Sequence, residues 1–327
     1  MYFGSVKFFK HLIVAVLAIF MAASVALIAL LTIENNDLRR RLDDYTSGGQ
    51  SISSGDNVSE GSESGDTSNT IDDSDNTTVS LPDEDNTSLE MSVWPPEPFG
   101  EFGELFTELY ATVPPWEVEL IEYSANNIYL TFDDGPNHMT NTILNHLRDN
   151  DVSATFFVIP RDTTQTIMRR IHDEGHAIGV HSYSHVLHEI YESVEAFLED
   201  FNQARTLIYE QTGMMSDIFR FPGGSVNSYN SDVREDIITE MERRGFVYFD
   251  WNVDSDDVGG ASYDRMLRDI PQYINTNFEE GERSIVLFHD AAPFTTWVLG
   301  DLLSVLQRSP NGYSFETLCI NTVPHQW

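Results

Sequence analysis

The pattern of hydrophobic and polar positions changes at Ile128. From there onward, short apolar runs alternate with longer segments whose apolar residues recur at helical spacing. The short runs predict strands at 128–132, 153–159, 177–182, 218–222, 246–253, 284–289 and, more weakly, 315–320. The longer segments predict helices at 140–150, 163–174, 193–212, 231–244, 263–278 and 295–308.

This alternation predicts the fold class. Mostly apolar strands that alternate with helices are typical of a parallel sheet covered by helices. About seven strand–helix repeats are too few for the full eightfold TIM barrel. We therefore predict an α/β fold of the distorted or incomplete (β/α) barrel type.

The N-terminal part of the chain has a different pattern. Residues 1–11 contain the only two lysines, Lys7 and Lys10, and residues 12–33 form an uncharged run long enough, as a helix, to cross about 30 Å of hydrocarbon. A cleaved signal peptide would have a shorter apolar region, followed by a small-residue cleavage site in a polar context. Here the alanines lie inside the run. We favour an uncleaved transmembrane signal anchor with a cytoplasmic N-terminus.

The segment that follows is strongly polar and acidic. Residues 34–93 contain too few large apolar side chains to offset the entropy of ordering, and they predict a disordered linker. Such a linker is either a tether that holds the next domain away from the membrane or a spacer without further function. Aromatic residues and prolines in 94–127 predict an ordered lead-in with one short helix around 101–111, before a catalytic domain at 128–327. We expect that domain to be extracytoplasmic.

Composition and charge exclude one class of partner. The 327 residues carry a formal net charge of −35, and no Lys or Arg occurs between Arg41 and Arg148. Affinity for phosphates comes from Lys and Arg, so nucleic acid is excluded as a partner. The single cysteine, Cys319, lies in a partly apolar run and is interpreted as a small buried hydrophobe.

Two adjacent carboxylates end the first predicted strand of the domain. Asp133 and Asp134 follow an apolar run and precede a Gly-Pro turn. The pair is least costly if one carboxylate binds a cation and the other acts as a base. A solvated turn is the plain alternative, and further clusters at later strand ends argue against it.

Histidines follow the predicted strand at 177–182. His181 and His185 are four positions apart, so both can face one metal ion. His188 lies in the same neighbourhood, and spacing alone does not decide which histidines bind.

Three more clusters end later strands. Arg220 precedes Pro-Gly-Gly, and an arginine there can hold a carboxylate in a bidentate grip. An acidic turn at 254–257 follows the next strand, and His289 ends the apolar strand after it. With an ordinary pKa near neutrality, His289 suits general-acid catalysis. Together the clusters indicate a mononuclear metal hydrolase.

The region from about Ile128 to Ile320 resembles the polysaccharide deacetylases, also described as NodB-homology or carbohydrate esterase family four enzymes. Their five motifs appear in order: Thr-Phe-Asp-Asp-Gly at 131–135, His-Ser-x-x-His at 181–185, Arg-x-Pro-x-Gly at 220–224, Asp-x-x-Asp at 254–257 and Leu-x-His-Asp at 287–290. Membrane-tethered members of this family are a familiar arrangement.

The resemblance implies a distorted (β/α) barrel that hydrolyses an acetyl group from a polymeric sugar. By motif position, Asp134, His181 and His185 would bind a divalent metal, zinc first, with cobalt and nickel as alternatives. Asp133 would be the general base, and Arg220 would orient it.

The same resemblance assigns the remaining roles. His289 would protonate the departing amine, and Asp257 would tune His289, although the crowded acidic turn leaves Asp254 and Asp256 as alternatives. The backbone N–H of Gly223 would stabilise the oxyanion together with the metal. Pro222 belongs to the same loop, and Leu287 would line the acetyl pocket.

Two positions depart from the family pattern. The family usually has an aromatic residue where this chain has Gly223, and a Trp where it has Val258. Both changes remove walls of the substrate groove. The expected activity is removal of N-acetyl groups from a cell-envelope glycan, most simply the N-acetylglucosamine of peptidoglycan. An O-acetyl esterase of xylan-like polymers and a non-catalytic glycan-binding protein are the alternatives.

Overall fold

The computed structural model describes residues 102–327. The predicted cytoplasmic segment, signal anchor and acidic linker lie outside the described residues. Within 102–327, no helix combines the length and the apolar character needed to cross a membrane.

One parallel sheet forms the centre of the described region. Its eight strands are β1 (Asn127–Gly135), β2 (Thr155–Val158), β3 (Ala177–Val180), β4 (Ile218–Phe219), β5 (Val247–Tyr248), β6 (Val253–Asp254), β7 (Ser284–His289) and β8 (Ser314–Phe315). The main order is β5-β4-β3-β2-β1-β7-β6, and β8 pairs with the first residues of β1. The two ends of this order, β5 and β6, are joined by only residues 249–252, so the sheet must curl back towards itself. The predicted distorted (β/α) barrel is confirmed.

Helices connect the strands much as the periodicity predicts. They are α1 (Thr140–Asp149), α2 (Gln165–Asp173), α3 (Leu187–Ile190), α4 (Val194–Thr212), α5 (Arg234–Arg243), α6 (Tyr263–Glu280) and α7 (Pro293–Gln307). The two longest have capped ends: Ser193 and Ser262 accept hydrogen bonds from backbone N–H groups of their first turns. Gly213 and Gly281 end these helices in the left-handed conformation, which costs glycine little.

The predicted strand at 246–253 is wrong as a single element. The chain forms β5, turns, and then forms β6. Within the turn, the backbone N–H of Asp250 donates to the carbonyl of His325 (2.8 Å), and that of Asn252 donates to the carbonyl of Ile285 (3.1 Å). The backbone therefore changes partners midway. The weaker prediction at 315–320 is also wrong in its bounds, because β8 spans Ser314–Phe315 and shares only Phe315 with the predicted strand.

The predicted helix around 101–111 is also wrong. Residues 102–111 form turns and bends without a helix. Their carbonyl oxygens point to the guanidinium of Arg244, which donates to those of Phe102, Leu105, Phe106 and Leu109 at 2.8–3.1 Å. A helix would direct these carbonyls along its own axis instead, so the buried arginine overrides the local apolar pattern.

The core lies between the sheet and its helices. Phe132 of β1 stacks between Phe156 of β2 (5.0 Å between ring centroids) and Phe288 of β7 (5.5 Å). A second, smaller apolar cluster includes Phe157, whose strand neighbour Phe156 faces the larger core, so the cluster lies on the opposite side of the sheet, inside the curl. This packing fixes the strands and brings their carboxyl ends to one rim.

Candidate active site

The five motifs meet at the rim formed by the carboxyl ends of the strands. Each motif lies at or just after a strand end: Asp133 and Asp134 in β1, His181 after β3, Arg220 after β4, Asp257 after β6 and His289 at the end of β7. In barrels of parallel strands, this end is where catalytic groups collect. The site is therefore a product of topology, since these residues are far apart along the chain.

One carboxylate and two imidazoles form a compact cluster. The Nε2 atoms of His181 and His185 lie 3.4 and 3.2 Å from Oδ1 of Asp134. All three ligand atoms lie within 4.8 Å of one another. His188 is not part of the cluster, because its side chain is 73% exposed and approaches Glu189 instead. The fold thus brings His181 and His185 to Asp134 and leaves His188 on the surface.

The chemistry of this cluster fits a cation. Nδ1 of His181 lies 2.9 Å from the carbonyl oxygen of Arg220, which can only accept, so Nδ1 carries the proton and Nε2 presents a lone pair. Oδ1 of Asp134 is buried without a hydrogen-bond partner. A buried carboxylate oxygen without a donor is costly, and a positive ion bound beside it would satisfy it. The residues present are a two-nitrogen, one-oxygen donor set typical of zinc and similar metals.

Electrostatics agree with this interpretation. Burial alone would raise the pKa of Asp134, but the two imidazoles beside it lower that pKa well below its usual value. The pKa of His185 is raised, chiefly by its contact with Asp134 and against the opposing effect of burial. Both Asp134 (φ 69°) and His185 (φ 58°) have left-handed backbones, which cost non-glycine residues free energy and are typical of functional positions.

Asp200 holds the histidine loop and was missed by the sequence analysis. Its carboxylate accepts hydrogen bonds from Ser182 Oγ (2.7 Å), Tyr183 N (2.8 Å) and Ser184 N (2.7 Å). Three bonds to one buried carboxylate fix the loop between His181 and His185. An acidic residue on the buried face of the long helix α4 was the available signal.

The second carboxylate of the first motif is held by a buried arginine. Arg220 is fully buried, and its Nη1 donates to Asp133 Oδ1 at 2.9 Å and to Thr131 Oγ1 at 2.7 Å. Its other nitrogens donate to the backbone carbonyls of Phe249 and Asp250. The guanidinium therefore has one position only. It fixes one oxygen of Asp133 and leaves Oδ2 on the side of His181, 3.9 Å from that ring.

His289 and Asp257 form the opposite side of the site. Nδ1 of His289 lies 2.8 Å from Asp257 Oδ1, and the backbone N–H of His289 donates to Oδ2. Thr295, in the first turn of α7, donates its hydroxyl to the same oxygen. Burial alone would lower the pKa of His289, but Asp257 outweighs burial and raises that pKa to about 9. The imidazole is therefore protonated at neutral pH.

The crowded acidic turn is resolved by these contacts. Asp257 is the carboxylate that touches His289. Asp254 is exposed and accepts the N–H of Asp256, and Asp256 pairs with Arg265 on the surface at 3.0 Å. The geometry thus brings Asp257 to His289.

A further buried acid, Asp290, supports the first motif from behind. It accepts hydrogen bonds from Asn137 Nδ2 and Thr140 Oγ1, and its own N–H donates to the carbonyl of Asp133 (2.9 Å). A Cβ at Gly135 would lie 2.0 Å from Oδ2 of Asp290, so only glycine fits there. Burial raises the pKa of Asp290 to about 7.

The third motif forms a loop that is mostly buried but exposes Gly223. Pro222 is buried, and its carbonyl accepts a hydrogen bond from the hydroxyl of Tyr191 (2.9 Å). Gly223 is exposed with φ 77°, and a Cβ there would meet no atom closer than 3.6 Å. Leu287 is buried in β7, whereas Val258 is 66% exposed. The departure at Gly223 thus leaves open space at the rim.

Comparison with known proteins places this geometry in a family. Residues 121–246 match the family model described as polysaccharide deacetylase. The chain is 31% identical over 192 residues to a peptidoglycan-N-acetylglucosamine deacetylase of Bacillus cereus, covering 58% of this chain and 67% of the relative.

Two solved structures support the same family assignment. The catalytic domain of a peptidoglycan N-acetylglucosamine deacetylase from Eubacterium rectale superposes with a TM-score of 0.59 at 31% identity, covering 65% of this chain and 98% of the other. A polysaccharide deacetylase from Bacillus cereus gives a TM-score of 0.50 at 30% identity, covering 58% and 91%. With these matches and the five motifs at one rim, the chain belongs to the polysaccharide deacetylases of carbohydrate esterase family four.

Proposed function

We propose that this protein is a metal-dependent hydrolase that removes N-acetyl groups from N-acetylglucosamine residues of peptidoglycan. The observation that carries the proposal is the unpartnered buried oxygen of Asp134, which faces two imidazoles and lies beside the arginine-held carboxylate of Asp133. The similarity to peptidoglycan deacetylases from two genera supports the choice of polymer.

Asp134, His181 and His185 would hold one divalent cation, zinc first, with cobalt or nickel as alternatives. When bound, such an ion polarises the acetyl carbonyl and makes water a better nucleophile at neutral pH. Two contacts orient the donor atoms for this ion. The carbonyl of Arg220 sets the tautomer of His181, and the hydrogen bonds of Asp200 fix the loop between the two histidines.

Asp133 acts as the general base. Arg220 occupies its Oδ1, so Oδ2 is the oxygen that takes a proton from the attacking water. The carboxylate is only 4% exposed, and a single fixed orientation avoids the cost of reorganisation during the reaction.

His289 acts as the general acid on the other side of the acetyl group. Asp257 occupies Nδ1, so Nε2 donates the proton to the departing sugar nitrogen as the C–N bond breaks, giving acetate and a free amine. Its pKa of about 9 keeps this proton in place at neutral pH. Gly223 is an exposed residue, and its N–H donates to the oxyanion, a contribution of about 3 kcal/mol for one donor. Leu287 and Pro222 line the acetyl pocket.

The apolar run at 12–33 supports a location for this activity. As a single-pass anchor, it would hold the domain at the outer face of the cell membrane, where the polymer lies.

The test is acetate release by the full-length chain from N-acetylglucosamine oligomers and from peptidoglycan. We expect release that stops with a chelator and returns with zinc. Asp133→Asn should lower kcat by about 10²- to 10⁴-fold while zinc content is unchanged. Asp254→Asn, an exposed acid of the fourth motif, is the matched control and should leave kcat unchanged.

Three outcomes would overturn the proposal in different ways. Release from acetyl esters but not from acetamides would indicate an O-acetyl esterase. Sugar binding without any release, in a zinc-loaded chain, would indicate a binding protein. Full activity of Asp133→Asn would disprove the assigned base.

A further inference from the structure

A half-exposed indole lies at the same rim as the proposed active site. Trp327 is 49% exposed. Large aromatic surfaces left in water lose the free energy that burial would provide, so a rigidly held one at a substrate-binding rim calls for an explanation.

The backbone of Trp327 is tied to the loop of the third motif. Its N–H donates to Asp250 Oδ2 at 3.1 Å. The same buried carboxylate accepts the N–H (2.9 Å) and the hydroxyl (2.6 Å) of Ser225. One fully buried acid therefore holds both Trp327 and the loop that carries Gly223.

The ring of Trp327 is fixed as well. It packs against Trp251 at 4.5 Å between centroids, with the planes at 69°. Gly224 lies beneath both rings: a Cβ there would be 3.0 Å from Trp327 Cζ3 and 3.1 Å from Trp251 Cη2. Its φ of 82° also favours glycine. The bare backbone lets the two indoles sit directly on the loop.

Two further contacts connect this indole pair to the reacting groups. The guanidinium of Arg220 lies 5.5 Å from the ring centroid of Trp251, and it donates to Asp133 at 2.9 Å. Trp327 is therefore linked to Asp133 through two side chains, Trp251 and Arg220.

We propose that Trp327 is a sugar-binding residue that stacks against a polysaccharide unit adjacent to the one being deacetylated. This inference rests on the proposed function and extends it to how the polymer is held. Sugar rings present apolar C–H faces that pack on aromatic rings, and a ring already fixed by its neighbours costs little entropy on binding. The stacked unit does not react, so its contribution belongs to polymer affinity.

The test compares substrates of different length with variants of Trp327 in the full-length chain. Trp327→Ala should raise KM for the N-acetylglucosamine hexamer about 3- to 10-fold, leave kcat unchanged and leave hydrolysis of the monosaccharide unaffected. Trp327→Phe keeps a ring and should retain most of the affinity. Trp327→Leu keeps apolar packing without a ring face and should behave like the alanine variant.

Trp116→Ala is the matched control. Trp116 is 53% exposed, close to the value for Trp327, but it belongs to a short helical turn whose first residue, Pro115, lines a cavity with Val247 at the start of β5, away from the rim. This variant should leave KM for the hexamer unchanged.

Several results would overturn the inference. An unchanged KM in Trp327→Ala would remove the stacking role. Rescue by leucine as complete as that by phenylalanine would show packing instead, and equal loss on the monosaccharide would show a structural role in the loop.

Failure of the proposed function would be distinct, since the wild-type chain would then release no acetate from any acetamide. In that case, calorimetric binding of the hexamer decides: weaker binding by Trp327→Ala than by wild type supports stacking, and equal binding overturns it.

Discussion

Two fully buried arginines lie at opposite ends of adjacent strands, Arg220 just after β4 and Arg244 just before β5, and their hydrogen bonds are satisfied in the same way. Each donates to one carboxylate and to backbone carbonyls: Arg220 to Asp133 and two carbonyls, Arg244 to Glu240 and four. Only Arg220 belongs to one of the five motifs. Their surroundings separate them.

The difference lies in what stands next to the carboxylate. Glu240 is also bonded by Arg243 at 2.7 Å, so its charge is fully compensated by cations. Asp133 is followed by Asp134, whose buried oxygen has no hydrogen-bond partner among the described residues. A buried arginine with its hydrogen bonds satisfied therefore indicates a structural role. A buried acid without a hydrogen-bond partner beside such an arginine indicates a functional site.

The largest effect on stability is expected from breaking the structural pair. Arg244→Met should lower the free energy of unfolding by about 3–5 kcal/mol, because it leaves Glu240 and several carbonyls buried without their main donor. The kcat of the remaining folded protein should not change. Denaturant unfolding measures the first quantity, and acetate release per folded molecule measures the second.

Arg234→Met, at the start of the helix α5 that Arg244 follows, is the control. Arg234 is partly exposed, and its one ion pair among residues 102–327 is with its neighbour Glu235, so the expected loss is below about 1 kcal/mol. A loss in Arg244→Met no larger than in this control would refute the structural role of Arg244.

The next effect tests the proposed catalytic pair, Arg220 and Asp133. Arg220→Lys keeps the charge but loses the planar fork that contacts Asp133, Thr131 and two carbonyls at once. A base displaced by about 1 Å costs on the order of 100-fold in kcat. We expect that loss with zinc content unchanged, measured by steady-state acetate release. A kcat within twofold of wild type would mean that Asp133 does not need its arginine.

The smallest expected effect concerns His289, which pairs with Asp257 but, unlike an arginine, can lose its proton. Because Asp257 raises the pKa of His289 to about 9, we expect the proposed general acid to lose its proton, and the rate to fall, as pH rises through about 9. Asp257→Asn should move this alkaline limb about 1–2 units lower. The pH profile of kcat/KM is the measurement, and Asp254→Asn is the control that should leave the limb in place.

The free energy of unfolding should also fall at alkaline pH. A histidine whose folded pKa is raised contributes its full stabilisation below its ordinary pKa of about 6.5, and that contribution is lost as pH rises through about 9. An unmoved alkaline limb in Asp257→Asn would show that another group is the acid.

Local patterns predicted the elements with strong periodicity. Helices α4 and α6 begin within one residue of their predicted starts, because serine caps and glycine ends coincide with the apolar period. The strand at 246–253 failed because Asp250 exchanges its sheet partner for the carbonyl of His325. The helix at 101–111 failed because a distant arginine attracts its carbonyls. Both errors come from partners more than 70 residues away, which periodicity cannot register.

The candidate site also contains residues that the sequence predicts and residues that it does not. Residues that end strands, such as Asp133, His181 and His289, were found because the motifs place them there. The residues that hold them, such as Asp200 and Thr295, lie on helices and have no motif of their own. Only the three-dimensional contacts assign them.

The hydrogen bonds between Arg244 and the carbonyl oxygens of residues 102–109 also bear on where the domain begins. The family match starts at residue 121 and the first strand at Asn127. A fragment cut at either point would lack the four carbonyls of residues 102–109 that complete the guanidinium. Homology boundaries and folding boundaries therefore differ in this protein: the unit that must be kept intact extends upstream at least to Phe102, through a stretch with neither helix nor strand that the domain needs as part of its own interior.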